Sequence, residues 1–127
     1  MRYLKEYNDW GYHQCSSFDV NDIVEVGNRL TRREYDILLD KYYGNISFYS
    51  KSDSSGIYAN YVEEYNSDIA RVIINKGGKS RNHVEVYKGG DDWFFVRVYI
   101  QGGLYYDISH YKCDQLEGLI KLIEDKL

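Results

Sequence analysis

The spacing of apolar positions along the chain changes period twice. Tyr35, Leu38, Leu39 and Tyr42 recur at helical spacing behind Thr31-Arg32-Arg33-Glu34, which has the form of a capping box. In that motif an N-cap oxygen accepts from the backbone N–H three residues on, and a carboxylate reaches back to the N-cap. Leu30 is placed to staple onto Tyr35, and Gly44 to end the helix in a left-handed conformation. The period then shortens to two. His83 to Lys88 alternates, Gly89-Gly90-Asp91-Asp92 turns, and Trp93 to Ile100 alternates again, which predicts a hairpin. Gln101-Gly102-Gly103 turns into Leu104 to Ile108, while Ile69 to Asn75 and the turn Lys76-Gly77-Gly78-Lys79 precede the hairpin. Helical spacing returns at the C-terminal end, where Asp114-Gln115-Leu116-Glu117 reads as a second capping box. Leu116, Leu119, Ile120, Ile123 and Leu127 follow it as one stripe.

Weaker signals fill the remainder. Ile46 to Ser50 reads as a strand, and Ile57 to Glu64 as a strand or short helix. Met1 to Tyr7 reads as an edge strand, and Ile23 to Val26 as a strand or helical turn before Gly27. Lys51 to Gly56 is an exposed turn, and no linker or repeat divides the chain. The expected fold is a single α+β domain over residues 1–127, with two helices packed on an antiparallel meander sheet of five or six strands.

The strand from Trp93 carries two different faces. Phe94, Val96, Val98 and Ile100 form an apolar row that should meet the helices. Trp93, Phe95, Arg97 and Tyr99 point the other way, joined by Glu85 and Tyr87 from the hairpin partner, and by Tyr105 if the next turn keeps register. The N-terminal thirty residues hold Tyr3, Tyr7, Trp10, Tyr12 and Phe18, which would roof this second face if they folded across it. Left open, Tyr87, Trp93, Phe95, Arg97, Tyr99 and Tyr105 have the composition of an interface hot spot, which points to a protein partner or a second copy of the chain. The alternative occupant is single-stranded nucleic acid, whose bases stack on aromatic side chains interleaved with arginine.

Charge bears on that choice. The 127 residues carry a formal net charge of -4, without the basic excess that phosphate neutralisation requires, so nucleic acid is disfavoured. The one local basic cluster, Lys76, Lys79, Arg81 and Lys88, reads as solvated turns. Tyr occurs 15 times and Pro not at all, a bias that either an adhesive surface or an A/T-rich genome would produce. No apolar run is long enough to span a membrane and no secretion signal opens the chain, so a cytoplasmic protein without a membrane partner is expected.

Catalytic chemistry is thinly represented. His13, Cys15, His110 and Cys113 are residues that zinc takes as ligands, but their spacing is not that of a zinc knuckle, and buried thiols with surface imidazoles are the favoured reading. Cys113 abuts the start of the last helix, which would lower its pKa. A packing role is preferred, because a reactive thiol also needs a placed base. Gly77-Gly78, Gly89-Gly90 and Gly102-Gly103 are hairpin turns and not phosphate loops. Glu63-Glu64 and Asp91-Asp92 read as solvated edges. No cofactor and no metal is expected, and the chain leans away from catalysis, with a thiol- or zinc-dependent enzyme as the remaining alternative. Gly118 costs ~1 kcal/mol inside a helix relative to Ala, which close approach of a sheet residue would offset.

Asp92-Trp93-Phe94-Phe95-Val96 followed by Tyr111-Lys112-Cys113-Asp114-Gln115-Leu116-Glu117-Gly118-Leu119 resembles the C-terminal part of small uncharacterised proteins encoded by large DNA viruses and phages. The likeness covers about the last third of the chain. It implies a small acidic accessory that binds a host or virion protein in the cytoplasm of a host cell, or that mimics nucleic acid with its carboxylates, and it assigns no residue a role.

Overall fold

A computed structural model describes residues 11–51, 60–77 and 81–127. The expected edge strand Met1 to Tyr7, residues 57–59 of the uncertain Ile57 to Glu64 segment, most of the Lys51 to Gly56 turn, and Gly78 and Lys79 lie outside the described residues. In chain order the elements are β1 (His13–Gln14), α1 (Val20–Val26), α2 (Arg32–Lys41), β2 (Ile46–Ser50), β3 (Asn60–Val62), β4 (Ile69–Asn75), β5 (His83–Lys88), β6 (Phe94–Gly102), β7 (Tyr105–Cys113) and α3 (Leu116–Lys126). The strands form one antiparallel sheet in the order β1-β7-β6-β5-β4-β2-β3.

The α+β class holds, with three helices and seven strands among the described residues where two helices and five or six strands were expected. The additions have physical reasons. Ile23 to Val26 is the end of a helix that Asp19 caps by accepting from the Asn21 N–H at 2.9 Å. The segment is short and only Val20 and Val24 are buried, so it carries little periodic signal. β1 is two residues of backbone pairing, with no alternation to read.

One face of the sheet meets α2 and α3. Leu38, Phe48, Val72, Ile74, Val84, Val86, Phe94, Val96, Val98, Leu119 and Leu122 share this core. The Thr31/Glu34 capping box is present in full, and Gly44 takes a φ of 84°. Glu34 does more than cap. Its oxygens accept from the Lys88 ammonium, each at 2.7 Å, and Lys88 is 7% exposed, so an ion pair out of water ties the start of α2 to the end of β5. This corrects the reading of Lys88 as part of a solvated basic cluster. Lys76 instead donates to the Leu127 carbonyl at 2.7 Å.

The C-terminal helix departs from expectation at its start. Gln115 and not Asp114 is its N-cap, in extended conformation and with no side-chain cap bond. Gly118 is buried, but the backbone that approaches it is Gly11 of the N-terminal segment and not a sheet residue: a Cβ on Gly118 would overlap the Gly11 carbonyl. Gly11 itself adopts a φ of 81°, so two glycines facing each other let the chain entering β1 lie directly on α3.

Candidate interaction face

Register builds the opposite face of the sheet. β5 and β6 set His83 opposite Tyr99, Glu85 opposite Arg97 and Tyr87 opposite Phe95. β4 adds Arg71 opposite Tyr87, and β7 adds Ile108, His110 and Lys112 opposite Tyr99, Arg97 and Phe95. The face therefore holds the expected aromatic row, but the fold divides it in two.

The half toward the β5–β6 turn is closed. Phe18 stands edge-on to Phe95 at 5.4 Å and to His110 at 5.1 Å. Val20, Val24 and Ala70 bury Tyr87 to 3% exposure, which pushes its phenol pKa well up because the charged form loses its water. Ala70 reaches this side through a bulge: Tyr49 pairs with Arg71 while Ser50 pairs with Ile69, leaving one extra residue on β4. Trp93 is half-buried at the rim, with the Lys112 ammonium 4.9 Å from its ring centre and the His13 ring at 6.4 Å. So the N-terminal region does cross this face, through Phe18 and α1. Tyr12 does not take part; it packs edge-on to Tyr111 on the core side and donates to Asp125 at 2.8 Å.

The other half is open among the described residues, and it is organised around Glu85. Arg71 donates to Glu85 Oε2 and Tyr99 donates to Glu85 Oε1, both at 2.7 Å, while the Arg97 Nη1 lies 3.8 Å from Oε1 and 3.4 Å from the Tyr99 hydroxyl. Two guanidiniums meet one carboxylate, a local excess of one positive charge on an acidic chain. The Nε atoms of Arg71 and Arg97 are buried and lack a hydrogen-bond partner among the described residues. Arg71 stacks over Tyr49 at 5.2 Å and Arg97 over Phe18 at 5.7 Å. His83 stacks flat on Tyr99 at 4.4 Å, and Tyr106 meets both edge-on. Burial, ahead of the bond to Glu85, raises the Tyr99 phenol pKa, so the Tyr99 hydroxyl stays protonated and able to donate through neutral pH.

Of the expected face residues, Phe95 and Tyr87 are covered, Trp93 sits at the rim, and Arg97 and Tyr99 lie in the open half. Tyr105 does not belong to it. The turn is Gly103-Leu104, which pairs Tyr105 with Gly102 on the core-side parity and brings Tyr106, opposite Gln101, onto the aromatic face. Arg71, His83, Tyr106 and Ile108 were missed. The alternation of Arg71 and Ile73 against Val72 and Ile74 carried the signal for the first; the last two required the turn to be placed to the residue.

The four His and Cys residues do not meet. His110 and Cys113 are an odd number of positions apart on β7 and occupy opposite faces, and no group of three His, Cys, Asp or Glu suited to a metal occurs among the described residues. The Cys113 thiol is in the core, where burial, ahead of neighbouring Asp114, pushes its pKa up to about 12; the helix start does not activate it. A surface concavity of about 710 Å³ lies at the β3 edge, lined by Tyr61 to Asn66. No helix among the described residues is long and apolar enough to cross a membrane. Comparison with protein-family models, curated proteins and solved structures finds no match to the chain.

Proposed function

We propose that the protein is a non-catalytic interaction domain that engages a protein partner through the open half of the aromatic face, with Arg97, Tyr99, Arg71 and His83 as its anchors. The observation that carries this reading is the Glu85-centred cluster, which holds two arginines and two stacked rings in fixed positions, half-exposed, on the side of the sheet that the core does not use. Pre-ordered side chains lose little entropy on binding, and Tyr and Arg are the residues most often found at interface hot spots. The excess positive charge favours a partner surface bearing a carboxylate. Single-stranded nucleic acid draws less support, because one excess positive charge on a chain of net charge -4 falls short of the basic surface that neutralising several phosphates needs. The resemblance to small uncharacterised proteins of large DNA viruses and phages implies a binding role and adds no site to it.

The test is affinity capture from the source cell with the wild-type chain, Arg97→Ala/Tyr99→Ala and Tyr105→Ala, read by mass spectrometry. A protein retained by the wild type and Tyr105→Ala but lost with the double variant supports the assignment. Equal capture by all three refutes it, and retention of labelled oligonucleotides that weakens with salt transfers the face to the nucleic-acid reading.

A further inference from the structure

The other unfinished surface is the outer edge of β7. β1 pairs only with Tyr111 and Lys112, and the Cys15 N–H donates to the His110 carbonyl at 2.9 Å as the last rung. Beyond His110 the chain leaves the edge, since Phe18 crosses the aromatic face. In an antiparallel ladder the outward-facing backbone groups recur at every second residue, so those of Ile108 and Tyr106 point away from β6, and among the described residues no strand pairs with them. Four of the large apolar side chains that the fold leaves exposed sit here: Leu104 (94% exposed), Tyr105, Tyr106 and Ile108. A strand edge both unpaired and apolar is what proteins normally blunt with charge or cover.

We infer that this edge pairs with the same edge of a second copy of the chain, joining two sheets across a two-fold axis at Tyr106. Self-pairing is favoured because the sequence fits itself in one register. A two-fold axis at Asp107 would set two carboxylates opposite each other. An axis at Ile108 would drive the partner's Leu104 and Tyr105 against the stretch of β7 that β1 already occupies. An axis at Tyr106 avoids both: Asp107 faces the second copy's Tyr105, Ile108 comes alongside the Leu104 side chain in the second copy's turn, and the paired stretch ends before His110. The geometry is isologous and leaves this edge closed.

This inference does not rest on the partner-binding reading: Arg97→Ala/Tyr99→Ala is expected to lose capture and to keep the dimer. Sedimentation equilibrium of the full chain up to about 1 mM is expected to reach twice the 15.0 kDa chain mass. Ile108→Lys returns it to the monomer; Leu104→Asp, in the exposed turn where it cannot unfold the chain, does the same. Tyr106→Cys in a Cys15→Ser background forms an interchain disulfide on mild oxidation, because directly opposed residues of a hydrogen-bonded pair stand ~5.5 Å apart, within disulfide reach. Ser109→Cys does not. A monomer throughout the concentration range overturns the proposal, as does a dimer that survives both charge variants or that cross-links equally through Ser109→Cys.

Discussion

The two halves of the aromatic face share strands, register and residue types, yet one is core and the other is surface. In the closed half, Phe18, Val20 and Val24 lie over Phe95 and Tyr87, and the rings contribute through lost contact with water, ~1.5–3 kcal/mol for each side chain fully buried. In the open half the same kinds of ring are held by polar bonds to a single carboxylate, and their outer surfaces stay available. Composition did not decide between these outcomes. What decided was the path of twelve residues, from the edge at Cys15 to the cap at Asp19 and across the face through α1, which reaches Tyr87 but not Tyr99.

Glu85 is the residue on which the open half depends most. Glu85→Ala strands Arg71 and Tyr99 without their acceptor in a half-buried setting and should lower stability by ~3 kcal/mol in denaturant unfolding. A loss below about 0.5 kcal/mol, the scale of an ordinary surface substitution, would mean that the hub is not structural. Phe18→Ala removes the ring that covers Phe95 and stacks under Arg97, with an expected cost of ~2 kcal/mol. It also exposes the closed half, which dye binding would report. Tyr99→Phe deletes one hydrogen bond to the carboxylate and keeps the stack on His83, so ~1 kcal/mol is expected. Tyr105→Ala should change stability by less than ~0.5 kcal/mol, since its ring lies in neither half.

Alkali tests burial in another way. Burial raises the Cys113 thiol and the Tyr12 and Tyr42 phenols to about 12, and raises Tyr87 as well. Each folded-state pKa lies above the unfolded one, so the unfolded chain releases protons first, and the stabilisation, complete below pH ~8.5 where unfolded thiols begin to ionise, is lost as pH climbs toward 12. Thermal midpoints should fall over that interval, and Cys113 should resist alkylation at pH 8 in the native state. Rapid native modification of Cys113 would contradict its burial.

How far the sequence could be read follows the same physics. Strands β2 and β4 and the β5–β6 hairpin were legible to within a residue or two, because each alternates over five or more positions against one deep core. Helix α2 was legible from its capping box. Helix α1 was not, since seven residues with two buried positions leave no period to detect, and the partial roof over the aromatic face went unseen with it. The Lys88–Glu34 pair was invisible because 54 residues separate its members, and a lysine beside a glycine turn has the local signature of a solvated one. Tyr105 was misassigned for a single reason: a two-residue turn at Gly103-Leu104 inverts the parity of everything after it.

The proposed function requires the open half to meet a protein. The direct measurement places the photoreactive residue p-benzoylphenylalanine at position 73, which β4 sets opposite Glu85 on that half, and in a second chain at position 24, on the buried side of α1, and irradiates each in the source cell. A cross-linked protein adduct from position 73 that competes away with unmodified chain, and none from position 24, is expected. Adducts absent from position 73, or equally abundant from both, would contradict the proposal.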